Sequence, residues 1–189
     1  MFRKSLSIAL LCLFTATVFA QKTISDMTKG MVKKEGYFTY YWDEKEGKVW
    51  LEIDQLNKEF LYVNSLSAGI GSNDIGLDRG QLGNTRIVEF RRVGPKIMLV
   101  QPNYSYRAVS ENADEVRAVK EAFAESILQG FKVGAESDGH ILIDITSMLL
   151  SDAHGVAGRL RGQGSYRIDA NRSAIYPPML KNFPKNSEF

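Results

Sequence analysis

Along Tyr37–Ile53 the apolar positions alternate with the period of a β-strand. Phe38, Tyr40 and Trp42 fall on one side of a first strand, and Val49, Leu51 and Ile53 on one side of a second. The polar stretch Asp43-Glu44-Lys45-Glu46-Gly47 between them ends in glycine, which suits a hairpin turn. Phe60–Val63 predicts a third short strand. Arg86–Arg92 and Lys96–Val100 predict a second hairpin across Val93-Gly94-Pro95. The period then changes. Val116, Val119, Phe123 and Ile127 recur at three and four residues, and Asn112 with Glu115 resembles a capping box, so a helix is predicted over about 112–129 with Gly130 as its stop. His140–Ile145 returns to strand alternation, Thr146–Asp152 suits a short helix, and Ser165–Ile168 with Ser173–Tyr176 suits a strand pair. Residues 21–35 read as a polar, partly helical lead-in, with the ordered fold expected from Gly36. The pattern predicts an α+β fold of mainly antiparallel β hairpins with one principal helix, and a single β-rich domain over 36–189. It does not predict a βαβ nucleotide fold.

The first 20 residues follow a different rule. Arg3 and Lys4 precede the apolar run Leu6–Phe14, and Val18-Phe19-Ala20 presents a small-residue cleavage site. This is the layout of a secretory signal peptide, too short for a membrane span, and it predicts an exported protein, periplasmic or extracellular. Cys12 follows Leu11 inside the apolar run, which does not fit a lipoprotein site. Cleavage changes the composition. The 24 Lys and Arg lose Arg3 and Lys4, leaving 22 against 22 Asp and Glu, so the formal charge of +2 disappears and nucleic acid is not an expected partner. The single cysteine, Cys12, also leaves, which excludes disulfides and thiol chemistry in the mature chain. No later segment has the roughly 20 apolar residues of a membrane helix. A hydrophobic content of 44% supports a packed core rather than a disordered chain.

The candidate chemistry concentrates in Ser65–Gly83, which holds Gly69, Gly71, Gly76, Gly80 and Gly83. Such a density implies positive φ angles or close backbone approach. The segment fits no phosphate template. Gly69-x-Gly71 is followed by Asp74 where a dinucleotide fingerprint wants glycine, and Gly71-x4-Gly76 is followed by Leu77 rather than Lys. Asp74 and Asp78 lack the regular spacing of a calcium loop. Three readings stay open: a structural loop, a loop that docks on another domain, and a ligand loop. Under the docking reading its residues are Gly69, Gly71, Asn73, Asp74, Gly76, Asp78, Arg79 and Gly80. His140 opens a strand and reads as a surface or edge residue. Ser151, Asp152 and His154 lie too close in sequence for the line a triad needs, and no Gly-x-Ser-x-Gly elbow is present. Two histidines 14 positions apart and no mature cysteine do not make a zinc site. Arg79, Arg86, Arg91, Arg92 and Arg107 are interspersed with acids and read as a mixed, solvated surface. Tyr37, Tyr40, Tyr41, Trp42 and Trp50 read as cross-strand packing.

The run Tyr62-Val63-Asn64 through the Gly-rich segment to Gly83, then Val93-Gly94-Pro95-Lys96 and Val100-Gln101-Pro102-Asn103-Tyr104, resembles the N-terminal region of large exported bacterial zinc-dependent metalloproteases. The Phe38–Ile53 hairpin and Asp152-Ala153-His154-Gly155 fit the same resemblance, which covers nearly all of 36–189. In those proteins the region is a domain of unknown function, and the catalytic His-Glu-x-x-His helix lies much later. No position here matches that motif, so the resemblance carries over no catalytic residue, no metal ligand and no cofactor; zinc is expected only in a catalytic region that this chain lacks. It implies a non-catalytic N-terminal accessory domain whose partner is the catalytic domain of its own full-length protein. The aromatic ending at Phe189 fits a chain truncated at its C-terminus. The alternative is a free-standing exported β-rich binding or structural module. A truncated domain is expected to expose an apolar patch or an unpaired strand edge.

Overall fold

The computed structural model describes residues 22–69, 71 and 73–189; the expected signal peptide lies outside the described residues. Eight strands form one sheet: β1 (Val32–Lys34), β2 (Thr39–Asp43), β3 (Lys48–Ile53), β4 (Glu59–Tyr62), β5 (Arg86–Val93), β6 (Lys96–Gln101), β7 (Ser126–Ser137) and β8 (His140–Asp144). Their spatial order is β1-β2-β3-β8-β7-β6-β5-β4, and every neighbouring pair is antiparallel. The sheet is curled. Phe38, beside β2 near one end of that order, meets Phe60 of β4 at the other end, with ring centroids 5.2 Å apart.

Curling encloses one core. Tyr40, Val49, Leu51, Ile53, Val88, Phe90, Ile97, Leu99, Phe131, Ile141 and Ile143 point into it, as the period of two requires. Phe38, Phe60 and Phe90 pack there edge-on or tilted, with centroids 5.2–6.0 Å apart. A smaller cluster covers part of the outer face, where Ile24 packs with Tyr41, Ala135 and Leu142. Strand β7 serves both faces because it carries two bulges. Leu128 and Gly134 are the extra residues, and the second bulge turns Ala135 outward beside Leu142 after Phe131 and Val133 have faced inward.

Both predicted hairpins form, as do the third strand, the His140 strand and the short helix, now α3 (Thr146–Leu149), which follows α1 (Ile24–Met27) and α2 (Ala113–Ala122) along the chain. The fold is broadly β-rich, with little helix.

Three expectations need correction. The helix predicted over 112–129 is only α2, capped by Asn112 Oδ1 accepting from Asp114 N at 3.0 Å. Ile127 and Gly130 belong to β7, because the segment from Ser126 onward gains a full ladder against β6 and β8 that outweighs one further helical repeat. The ordered fold begins before Gly36. Helix α1 rests on β7, with Ile24 N donating to Ser137 Oγ at 3.3 Å, and β1 pairs with β2. The strand pair expected at 165–176 is absent from the described residues. Asp169 Oδ1 instead accepts from Asn171 N and closes a 3₁₀ turn over Ala170–Arg172. A hairpin not foreseen, β9 (Lys181–Phe183) with β10 (Asn186–Glu188), fastens on residues 34–40. Tyr37 N donates to Phe183 O at 2.7 Å, and the Phe189 ring meets Tyr40 edge-on. Among the described residues, no helix is long and apolar enough to cross a membrane.

Candidate functional site

The Gly-rich segment leaves the sheet after β4 and returns before β5. Its described part folds back on itself. Leu66 N donates to Gln81 O at 3.0 Å, Gly80 N to Leu66 O at 2.7 Å, and Gly83 N to Asn64 O at 2.7 Å. A Cβ at Gly69 would be crowded, 3.0 Å from Arg79 N and 3.1 Å from Leu77 O, so the backbone passes close to itself here. Gly80 holds φ at +80°, the left-handed region, at the turn closed by Gln81 N donating to Asp78 O. Leu77 is fully buried, whereas Gly71, Asp74, Asp78 and Arg79 are exposed. Asn73 opens a 3₁₀ turn, Asn73–Ile75, and Gly76 follows it.

The loop is fastened to a later part of the same chain, around α4 (Val156–Arg159). Near its tip, Arg159 Nη1 donates to Gly76 O at 2.7 Å. At its base, Arg86 Nη1 donates to Asn64 Oδ1 at 3.2 Å, and Asn64 Nδ2 lies 2.9 Å from His154 Nδ1. Guanidinium nitrogens only donate, so Arg86 fixes Asn64 with its oxygen inward, and the Asn64 amide then donates to an unprotonated Nδ1. The neutral ring carries its proton on Nε2, a buried atom without a hydrogen-bond partner among the described residues. Gly83 makes room for this arrangement, because an added Cβ would lie 2.4 Å from the Asn64 side chain. Burial raises the Tyr62 phenol pKa, opposed by the Arg86 charge 6.0 Å from the ring centroid.

The structure thus joins two motifs that the sequence left apart, the Gly-rich segment and Asp152–Gly155. It does not build a relay from the latter. Ser151 Oγ donates to Met148 O, both Asp152 carboxylate oxygens accept from Val156 N and Ala157 N at 2.7 and 2.9 Å, and His154 faces Asn64. Of the arginines considered as a patch, three have separate partners: Arg86 donates to Asn64, Arg91 bridges Glu89 and Glu125, and Arg92 pairs with Glu136. Among the described residues no group of three His, Cys, Asp or Glu side chains is placed to hold a metal. Asn64 and Arg159 were missed as anchors because their partners lie 90 and 83 positions away.

A second surface stands out at the open edge of the sheet. Phe60 and Tyr62 of β4 turn toward the core, so Leu61 and Val63 turn outward, and Leu61 is paired in register with outward Ile87. These three are 73%, 45% and 40% exposed. Helix α2 is also uncovered: none of its residues is buried, and Phe123 at its end stacks on Tyr106 with ring centroids 3.9 Å apart.

Comparison with known families places this geometry. The family model described as Domain of unknown function (DUF5117) matches residues 80–189. The chain belongs to the DUF5117 family. A second model, Domain of unknown function (DUF5118), matches residues 21–69. Comparisons with the curated proteins and with the solved structures gave no match. The DUF5117 match contains β5 to β8, α4 and the anchors Arg86, His154 and Arg159, while Asn64 lies in the DUF5118 match. The fastening at the base of the loop therefore spans both.

Proposed function

We propose that this chain is a non-catalytic N-terminal accessory domain of an exported zinc-dependent metallopeptidase, and that it docks on the catalytic domain of the same polypeptide. The metallopeptidase part rests on the resemblance carried by Tyr62–Gly83, Val93–Lys96 and Val100–Tyr104. The docking part is supported by one observation above the others: edge strand β4 presents Leu61 beside Ile87 to solvent, and Val63 just past its end is exposed as well. Soluble proteins ordinarily protect a sheet edge with charge, proline or a covering element. An apolar strip at such an edge is the kind of surface that another domain covers. Export follows from the signal-like first 20 residues.

Under this reading residues 22–189 bind no catalytic zinc and cut no peptide. Zinc analysis and a peptidase assay of the purified segment test this, and stoichiometric zinc together with peptide cleavage overturns it. The reading frame beyond codon 189 is expected to reach a His-Glu-x-x-His helix. A frame that closes without one removes the metallopeptidase reading and leaves a free-standing exported module.

A further inference from the structure

We infer that the segments matched by the two family models are complementary parts of one folding unit, each the binding partner of the other, and not two domains. The evidence is the path of the chain through the sheet. The segment 22–69 supplies both ends of the strand order, β1-β2-β3 at one and β4 at the other, and the segment 80–189 supplies the four strands between them. Two seams join them. At one, Trp50, Leu51, Glu52 and Ile53 pair with Asp144, Ile143, Leu142 and Ile141; at the other, Glu59–Tyr62 pairs with Arg86–Glu89.

The seams run through the core. Leu51 and Ile143, partners across the first, are both buried, and so is Val88 at the second. Two further contacts tie the segments. Helix α1 packs Ile24 against Ala135 and Leu142, and Asn182 Nδ2 donates to Phe38 O at 2.7 Å. Gly36 is shaped to that contact, since a Cβ there would meet Asn182 at 2.2 Å.

Neither part closes a core alone. Without β5 and β8, segment 22–69 is a short three-stranded meander and an isolated four-residue strand, and pieces of that size are marginal in water. Without β3 and β4, the central four strands expose unpaired edges at β5 and β8 together with Val88, Leu142 and Ile143. Strand β4 thus has no neighbour, and β3 lacks its second one, until β5 and β8 have been made. The loop between the seams is then a tether that positions the segments, and the Asn64–His154 contact closes its base.

The tryptophans make the inference testable in the full chain. Both tryptophans, Trp42 and Trp50, lie in 22–69; Trp50 also packs against Ala135 and Leu142 of the other segment, so Trp42, read in a Trp50→Phe background, reports on 22–69. Ile97→Ala removes a fully buried side chain from β6, in the other segment and away from both seams. In urea the fluorescence midpoint of this variant is expected to fall by the same amount as the far-ultraviolet circular dichroism midpoint. A fluorescence midpoint unmoved while circular dichroism shifts or splits would show two independent domains. A second measurement covers the case in which that variant does not fold. A protease recognition sequence placed after Asp78 in the otherwise native chain allows it to be nicked after folding. The two pieces are expected to co-elute as a one-to-one complex and to separate only in denaturant, with a midpoint that falls on dilution. Pieces that elute separately, each retaining its structure, overturn the inference.

Discussion

The same substitution, glycine to alanine, has opposite expected effects at two places in this chain. At Gly134 an added Cβ would lie 2.6 Å from Trp50 Cζ3 and 3.1 Å from Met27 Cε. Met27 ends in a flexible thioether and can move aside, whereas Trp50 is held in the β3 ladder. Gly134→Ala is therefore expected to cost about 1–3 kcal/mol, the usual range for overpacking. At Gly158, inside α4, nothing lies within 4 Å of the added atom and φ is not in the left-handed region. Gly158→Ala is expected to stabilise by about 0.5–1 kcal/mol, because alanine loses less backbone entropy in a helix. Urea unfolding of the two variants measures both effects, and a Gly134→Ala midpoint at or above that of the parent would refute the packing argument. The bulge explains the crowding. Gly134 is the extra residue of β7 at its crossing to the outer face, and it lies under the indole.

Among the elements, those read correctly from the sequence have both their pattern and their partner nearby. The β2–β3 and β5–β6 hairpins are of this kind, as each closes across a polar or Gly-Pro turn of a few residues. The errors occur where a distant partner decides. Ile127 continues the spacing of Val116, Val119 and Phe123, yet it lies in β7 and pairs with Val100 of β6. The β9–β10 hairpin is too short to show alternation and is fixed by contacts with residues 34–40, nearly 150 positions away. For the loop, the glycines marked its tight backbone, but nothing local marked Asn64, His154 and Arg159 as its anchors. The same contrast predicts how the elements differ in stability. Helix α2 has ten residues, none of them buried, and isolated helices shorter than about 12–15 residues are marginal. Its amides are expected to exchange with solvent through local opening well below the global unfolding free energy, while those of β3 and β8 exchange only at the global value. Native-state hydrogen exchange resolves the two, and equal protection in α2 and β8 would contradict this account.

At the scale of the whole molecule, the curled sheet buries tyrosines from both of its faces, and this sets a limit on stability in alkali. Burial raises the pKa of Tyr41, and its hydroxyl donates to Glu52 Oε2 at 2.6 Å, so the nearby carboxylate disfavours the phenolate further. Burial raises Tyr40 as well, and Tyr62 to the extent that Arg86 does not offset it. Each folded value lies above the unfolded value of 10.0. The sign follows. Below pH 10 both states keep these protons, and the stability is present in full. Above it the unfolded chain releases them while the folded chain holds them, so stability falls as pH rises toward the folded values. For each such phenol the fall is about 1.4 kcal/mol per pH unit. Tyr41→Phe removes one titrating group and the hydrogen bond to Glu52. The variant is expected to be less stable by about 1 kcal/mol at neutral pH, from the lost hydrogen bond. Above pH 10 its stability is expected to decline less steeply than that of the parent, so the two curves converge. Urea unfolding at pH 7, 10, 10.5 and 11 provides the test. Parallel curves above pH 10 would mean that the Tyr41 phenol ionises as readily in the folded protein as in the unfolded chain, and that the β2–β3 pairing does not seal it from water.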